Sequence, residues 1–171
     1  MITGERVYLR ELDSSVDLEK YLSWLSNPNT SKFLSIDPTR ITCSEILEWV
    51  LDSQLSPTCA AFGIYLHDMT FIGTTRLSEI NTENGSAELG IMIGDHTLQG
   101  MGLGTEVIRL ITIWGLEEFG LSRIEAGVST DNHPSLVAFG RAGFIEIGRR
   151  PSRNPDSNSE GIRMIFTADA I

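Results

Sequence analysis

Between Ala60 and Ile93 the hydrophobic residues change from helical spacing to strand spacing, and turn residues cut the stretch into three short runs. Ala60-Ala-Phe-Gly-Ile-Tyr-Leu66 and Phe71-Ile-Gly-Thr-Thr-Arg-Leu77 flank the turn His67-Asp-Met-Thr70, and Asn84-Gly85 precedes the run from Ala87 to Ile93. Connections this short join antiparallel neighbours, because a parallel return needs a crossover of about a dozen residues or more. Any fold open to this chain must therefore contain an antiparallel meander near its middle.

The flanking segments read as mixed helix and strand. Arg6 to Leu12 alternates as a strand. Asp13-Ser-Ser offers an N-cap to a helix carrying Val16, Leu18, Tyr21, Leu22, Trp24 and Leu25, which Asn27-Pro28-Asn29 ends. Thr42 to Leu55 forms a second helix, with Ser44 as cap and Ile46, Leu47, Val50 and Leu51 as its apolar stripe. After the meander, Leu103 to Phe119 reads as a buried helix with Gly120 at its C-cap, Arg123 to Ser129 as a strand, and His133 to Arg141 as a helix capped by Asn132. Phe144 to Gly148 and Ile162 to Thr167 are strands on either side of a polar loop, Pro151 to Gly161. A chain of 171 residues buries roughly two thirds of its unfolded surface, so one α/β (mixed α+β) domain over residues 1–171 is expected.

Composition removes several functions. No apolar run approaches the roughly 20 residues of a membrane span. The opening Met-Ile-Thr-Gly-Glu-Arg lacks a signal peptide's basic flank and apolar core, so a cytoplasmic protein without a membrane partner is expected. A formal charge of −10 argues against nucleic acid as a partner, since such binding needs cations to displace counterions. Cys43 and Cys59 have neither metal-ligand spacing nor a nearby His; they read as reduced packing residues, and no metal is expected. Trp24 and Trp49 lie near helical stripes and read as core. Arg141, Arg149, Arg150, Arg153 and Arg163 all fall in the last third. They form either a phosphate or carboxylate site or a solvated set balancing nearby acids.

The segment Leu98-Gln-Gly-Met-Gly-Leu-Gly-Thr-Glu-Val107 joins a strand to a helix through three glycines. Unpaired N–H groups at a helix start, with glycines that let a ligand approach, suit phosphate. A Walker A loop is excluded because the segment has no lysine. A dinucleotide turn keeps Gly100-x-Gly102 and has Glu125 in place for a ribose, but its third glycine position holds Thr105 and five residues separate strand from glycine.

Gln99-Gly-Met-Gly102-Leu-Gly104 resembles the Q/R-x-x-G-x-G/A pyrophosphate loop of the GNAT superfamily of N-acetyltransferases. Ala87-Glu-Leu-Gly-Ile-Met-Ile93 resembles that family's fourth strand, and Asn132-His-Pro-Ser135 through Phe139 to Gly143-Phe144 its N-x-x-S...GF segment. The opening Gly4 to Leu12, with Tyr21-Leu-Ser-Trp-Leu-Ser-Asn-Pro28, is similar to the branch that includes the ribosomal-protein-alanine N-acetyltransferases. The resemblance spans nearly the whole chain and implies a splayed, mostly antiparallel sheet of about seven strands flanked by about four helices.

It also implies acetyl-CoA as co-substrate. The main chain of Gln99, Gly100, Met101, Gly102, Leu103, Gly104 and Thr105 is expected around the pyrophosphate. Ile91, Met92 and Ile93 are expected along the pantetheine, which an exposed strand edge binds as it binds a peptide. Asn132, Ser135 and Phe139 complete the cofactor contacts. The implied reaction is direct attack of a primary amine on the acetyl thioester in a ternary complex, with a backbone N–H near Met92 polarising the carbonyl. Glu88 is the expected general base, through water. Relatives often place a tyrosine where this chain has Phe139 and a glutamate where it has Gly127, so Ser135 takes over as the donor to the sulfur. His96 and His133 read as loop and helix-start residues. Those two departures also admit a non-catalytic acyl-CoA-binding sensor. The expected partner is an amine-bearing acceptor, either a small molecule or a protein N-terminus, and a homodimer is compatible with this reading. The arginines near residues 151–161 suit a phosphate-bearing acceptor, whereas the acidic balance suits polyamines or basic peptides.

Overall fold

The computed structural model describes residues 1–34, 36–151 and 160–170, and the expected meander lies at its centre. Strands β3 (Ala60–Leu66), β4 (Phe71–Asn81) and β5 (Ser86–Ile93) pair antiparallel in chain order. The tight connections work as their residues predict: Gly85 takes a left-handed φ of 64°, and the Asp68 carboxylate accepts the Thr70 N–H at 2.9 Å. The meander is extended at one edge by β1 (Ile2–Thr3) and β2 (Val7–Glu11). At the other edge stand β6 (Arg123–Ser129), β7 (Ile145–Pro151) and β8 (Glu160–Thr167). The order is β1-β2-β3-β4-β5-β6-β8-β7, and among the described residues the β5–β6 contact alone is parallel. The crossover this requires is supplied by α4 (Leu103–Phe119), which ends at Gly120 with φ 62° as its sequence predicts.

Three helices, α1 (Leu18–Leu25), α2 (Pro28–Ser31) and α3 (Cys43–Leu55), separate β2 from β3, and α5 (His133–Arg141) follows β6. Among the described residues the sheet thus has eight strands with five helices, where about seven with four were expected. The additions are two-residue β1 and four-residue α2, both too short to show a period. Asn27 ends α1 as expected but also caps α2, accepting the Asn29 N–H at 2.9 Å. Two cap assignments shift. Asp13 folds into a turn with Ser15, and Asp17 caps α1 by accepting the Lys20 N–H. Thr42, not Ser44, caps α3 in a reciprocal box with Glu45. That helix buries Ile46, Val50 and Ser53 and leaves Leu51 44% exposed.

The sheet is the middle of three layers. On one face α4 and α5 cover Leu77, Ile124, Phe144 and Phe166, with Val107, Ile108 and Ile111 inserted from α4. On the other, α1 and α3 cover Tyr65, Phe71 and Met92, and Trp24 packs on Phe71 with ring centroids 4.8 Å apart. Cys43 and Cys59 are both free thiols, and burial pushes Cys59 up. Among the described residues no helix is long and apolar enough to cross a membrane, and no cluster of metal-ligating side chains occurs. Ile111 has no exposed surface. Its truncation to Ala removes buried methylene groups and leaves a cavity, so urea denaturation should show a loss of about 2–5 kcal/mol.

Candidate functional site

β5 and β6 are neighbours for only three register pairs, Ser86 to Glu88 against Arg123 to Glu125. Beyond them β5 stays on β4 as far as Ile93, while β6 stays on β8 as far as Ser129. The two strands therefore part, and a cleft of about 540 Å³ lies between and over them. In an antiparallel ladder alternate residues turn their N–H and C=O away from the partner, so the β5 edge past Glu88 presents main-chain groups to that opening.

One wall carries Glu88, Gly90, Ile91 and Met92; the other carries Gly127, Val128 and Ser129 of β6 with Asn132, Ser135 and Phe139 of α5. Tyr21, Phe33, Leu34, Ile36, Ile41 and Trp49 border the α1/α3 side. Trp49, expected in the core, is instead only partly buried and forms part of this border. Met92 and Phe139 are buried, and the Phe139 ring meets Phe144 edge-on at 5.0 Å. The Asn132 carbonyl accepts the Ser135 N–H at 3.3 Å and so caps α5. Burial pushes the Tyr21 phenol up, opposed by the Thr74 hydroxyl that donates to it at 3.4 Å and by the Arg76 charge.

The glycine segment follows Ile93 and lies outside this lining. A single 3-10 turn, His96–Leu98, is capped by Asp95, whose carboxyl is held low by the Thr97 hydroxyl and N–H. The Gln99 amide lies 2.7 Å from Nδ1 of His96, and Nε2 of His96 lies 3.1 Å from the Thr30 hydroxyl. His96 thus ties the segment to α2. Gly100 and Gly102 take φ of 78° and 80°, which L side chains rarely adopt, and α4 begins at Leu103 with no side-chain cap. Leu103 is buried and Met101 exposed. Gly104 differs from its neighbours: it is helical, and a Cβ there would meet nothing nearer than the Ala138 Cβ at 4.0 Å. The fold itself does not require a bare backbone at that point, and the space beside the uncapped N–H groups stays open to an anion.

A clamp that sequence spacing could not reveal fixes this helix start. The Arg6 guanidinium donates to Glu106 at 2.8 Å through Nε and to the Met101 carbonyl at 2.7 Å through Nη1. The Arg6 and Val7 N–H groups donate to the same carboxylate at 2.8 and 3.4 Å. Burial pushes Glu106 up, but these donors outweigh it and hold the carboxyl below its ordinary 4.5.

Of the C-terminal arginines, Arg149 and Arg163 are engaged by neighbouring acids and do not form an open anion site. Arg149 pairs with Glu160 at 2.8 Å and Glu146 at 3.8 Å, and Arg163 with Glu125 at 2.8 Å. Arg153 lies outside the described residues, as does most of the loop expected from Pro151 to Gly161. Glu125, the ribose ligand of a dinucleotide turn, is thereby engaged.

A parted sheet whose opening leads to a glycine-rich, uncapped helix start defines a protein of the acyl-CoA-using transferase class. The model of the acetyltransferase (GNAT) domain matches residues 6–145, and the chain belongs to that family. It is an acetyl-CoA-dependent N-acetyltransferase. It is 28% identical to an uncharacterized N-acetyltransferase, p20, of Bacillus licheniformis, over 84% of this chain and 82% of that one. Its fold matches spermidine N-acetyltransferase from Vibrio cholerae in complex with CoA and spermine, with TM-score 0.87, 21% identity and 98% of each chain covered. It also matches aminoglycoside acetyltransferase AAC(6')-Ib in complex with coenzyme A, with TM-score 0.77, 20% identity and 96% of each chain covered.

Because the folded Glu106 carboxyl is depressed, its contribution is fully present above about 4.5 and is lost as pH falls through the lower folded value. The stability gap between wild type and Glu106→Gln should therefore be constant near neutrality and close in acid, as urea titrations at several pH values would show. Arg6→Ala should weaken acetyl-CoA binding about tenfold by calorimetry, the scale of one lost charge-assisted contact that holds the loop.

Proposed function

We propose that the parted strands receive the pantetheine along Ile91–Ile93, with the pyrophosphate on the N–H groups of Gly100 to Thr105. The observation that carries this reading is the combination of an unpaired β5 edge with Gly104, a glycine whose missing side chain nothing in the fold demands. Gln99 and Met101 shape the loop, and Leu103 anchors it in the core. Asn132 uses its carbonyl to cap α5, which leaves its amide N–H groups for the pantetheine. Phe139 contributes an apolar wall.

Acetyl-CoA supplies an activated acyl group: the amine nitrogen attacks the thioester carbon, the C–S bond breaks, and the CoA sulfur leaves with its electron pair. Glu88, through water, takes the proton that the amine must lose. The Met92 region of the main chain donates to the carbonyl oxygen, where fixed N–H groups need no reorganisation. Ser135, on the opposite wall, donates to the departing sulfur; Phe139 has no hydroxyl with which to do so.

The acceptor is a primary amine on a small molecule or a protein N-terminus, entering from the α1/α3 side. The N-terminal similarity to ribosomal-protein-alanine acetyltransferases supports the second. The spermidine enzyme shares the fold at an identity that does not carry its substrate over. A homodimer is supported by the edge position of β7, where Ile145 and Ile147 are 64% and 43% exposed. Cytoplasmic residence is supported by two unbridged cysteines.

Glu88→Gln should lower kcat at least tenfold with little change in acetyl-CoA affinity. An unchanged kcat removes Glu88 from the chemistry. Gly104→Asp should abolish acetyl-CoA binding by calorimetry, since it sets a carboxylate where phosphates belong. Gly104→Ala should fold normally; full affinity in Gly104→Asp refutes the loop assignment.

A further inference from the structure

The acceptor side of the cleft contains an arginine that the chemistry above does not use. Arg76 stands on β4 opposite Gly90 of β5. Leu77 and Leu89 point into the core under α4, so the alternation of the strands turns Arg76, Ser78, Glu88 and Gly90 the other way, toward α3. The guanidinium carbon lies 5.8 Å from the centroid of the Trp49 ring, within cation–π range. A Cβ at Gly90 would touch Arg76 Cγ and Nε at 3.6 Å, so the side chain lies across the bare backbone of the facing strand. Arg76 is thus held between an indole and a glycine, with its rotamer set before any ligand arrives.

Among the described residues no carboxylate lies within ion-pair distance of its charge. Glu45, also at the cleft, is committed to Thr42, whose N–H and hydroxyl both donate to it at 2.8 Å. Glu88 is a diagonal neighbour of Arg76 across the β4–β5 register, about 7–8 Å away at Cα by sheet geometry. A fixed, exposed guanidinium therefore sits one diagonal step from the residue assigned to the amine.

Resting on the assignment of this cleft to the acceptor, we propose that Arg76, seated on Trp49, binds an oxyanion carried by the acceptor, which selects the small-molecule class, a zwitterionic amine, over a protein N-terminus. The ammonium end enters near Glu88 and the thioester, and the carboxylate or phosphate end is fixed by the guanidinium fork. A polycation such as spermidine would place a second positive charge against Arg76 and is disfavoured. The C-terminal arginines cannot take this role where Glu125, Glu146 and Glu160 already neutralise them.

The test is release of CoA from acetyl-CoA with γ-aminobutyrate, aminopropyl phosphate, butylamine and putrescine, using wild type and Arg76→Gln. One of the two oxyanion amines should exceed butylamine and putrescine in kcat/KM by roughly 10- to 100-fold, the worth of a charge-assisted hydrogen bond. Which of them leads distinguishes carboxylate from phosphate. Arg76→Gln should remove that advantage through KM, with acetyl-CoA affinity and melting temperature unchanged. Equal or better use of putrescine or butylamine, or an advantage that survives Arg76→Gln, overturns the proposal. Calorimetry of the same amines on the CoA-loaded protein separates the two claims. Oxyanion preference there, lost in Arg76→Gln, sustains the proposal even if no amine releases CoA, an outcome that would sink only the catalytic roles. No preference in binding overturns it.

Discussion

Everything at this site depends on the failure of β5 and β6 to remain paired. Their parallel ladder holds for three residue pairs and then stops, although both strands continue on their outer neighbours. A sheet interior normally satisfies its own main-chain groups, so a gap inside one is costly unless water or a ligand fills it. Here the gap leaves an open β5 edge, the one proposed for the pantetheine, and it opens space on the α1/α3 side, the one proposed for the acceptor. The same divergence places Glu88 at the last paired position, where the strands are still close, and puts α5 with Ser135 on the opposite wall. A single interruption thus brings the proposed donor edge, the proposed acceptor space and the candidate proton carriers to one place.

The phosphate role proposed for the glycine segment requires a backbone already in the conformation that an anion needs. Two left-handed glycines give it that shape, and ties from distant parts of the chain keep it there. Arg6, just before β2, fastens it through Glu106 and the Met101 carbonyl, and His96 fastens it to α2. Preorganisation of this kind lowers the ordering cost of binding. The His96 contact also links the loop to α2.

Much of this was readable from one chain. The change of period at Ala60, the turn residues and the helix from Leu103 to Phe119 are local signals, and the strands and helix formed where those signals put them. Hairpin connections between consecutive strands also made the order of the meander local. The clefted arrangement and the family followed from three motifs in register. What escaped notice was set by tertiary contact. β1 has two residues and no period of its own, and the caps at Asp17 and Thr42 depend on which of several polar residues meets a free N–H. Arg6 acts on a residue one hundred positions away. The arginines of the last third drew attention by number, yet acids on neighbouring strands occupy the described ones that pair, while Arg76 stood alone in the sequence and became notable only beside Trp49 and Gly90.

Hydrogen exchange with and without CoA tests the central claim most directly, because it reads the two main-chain surfaces themselves. If the gap between β5 and β6 is the cofactor site, CoA should slow exchange at amides of Ile91 to Ile93 and of Gly100 to Thr105, while α3 and the β7–β8 hairpin ends remain unchanged. Protection that appears elsewhere and spares both segments would contradict it.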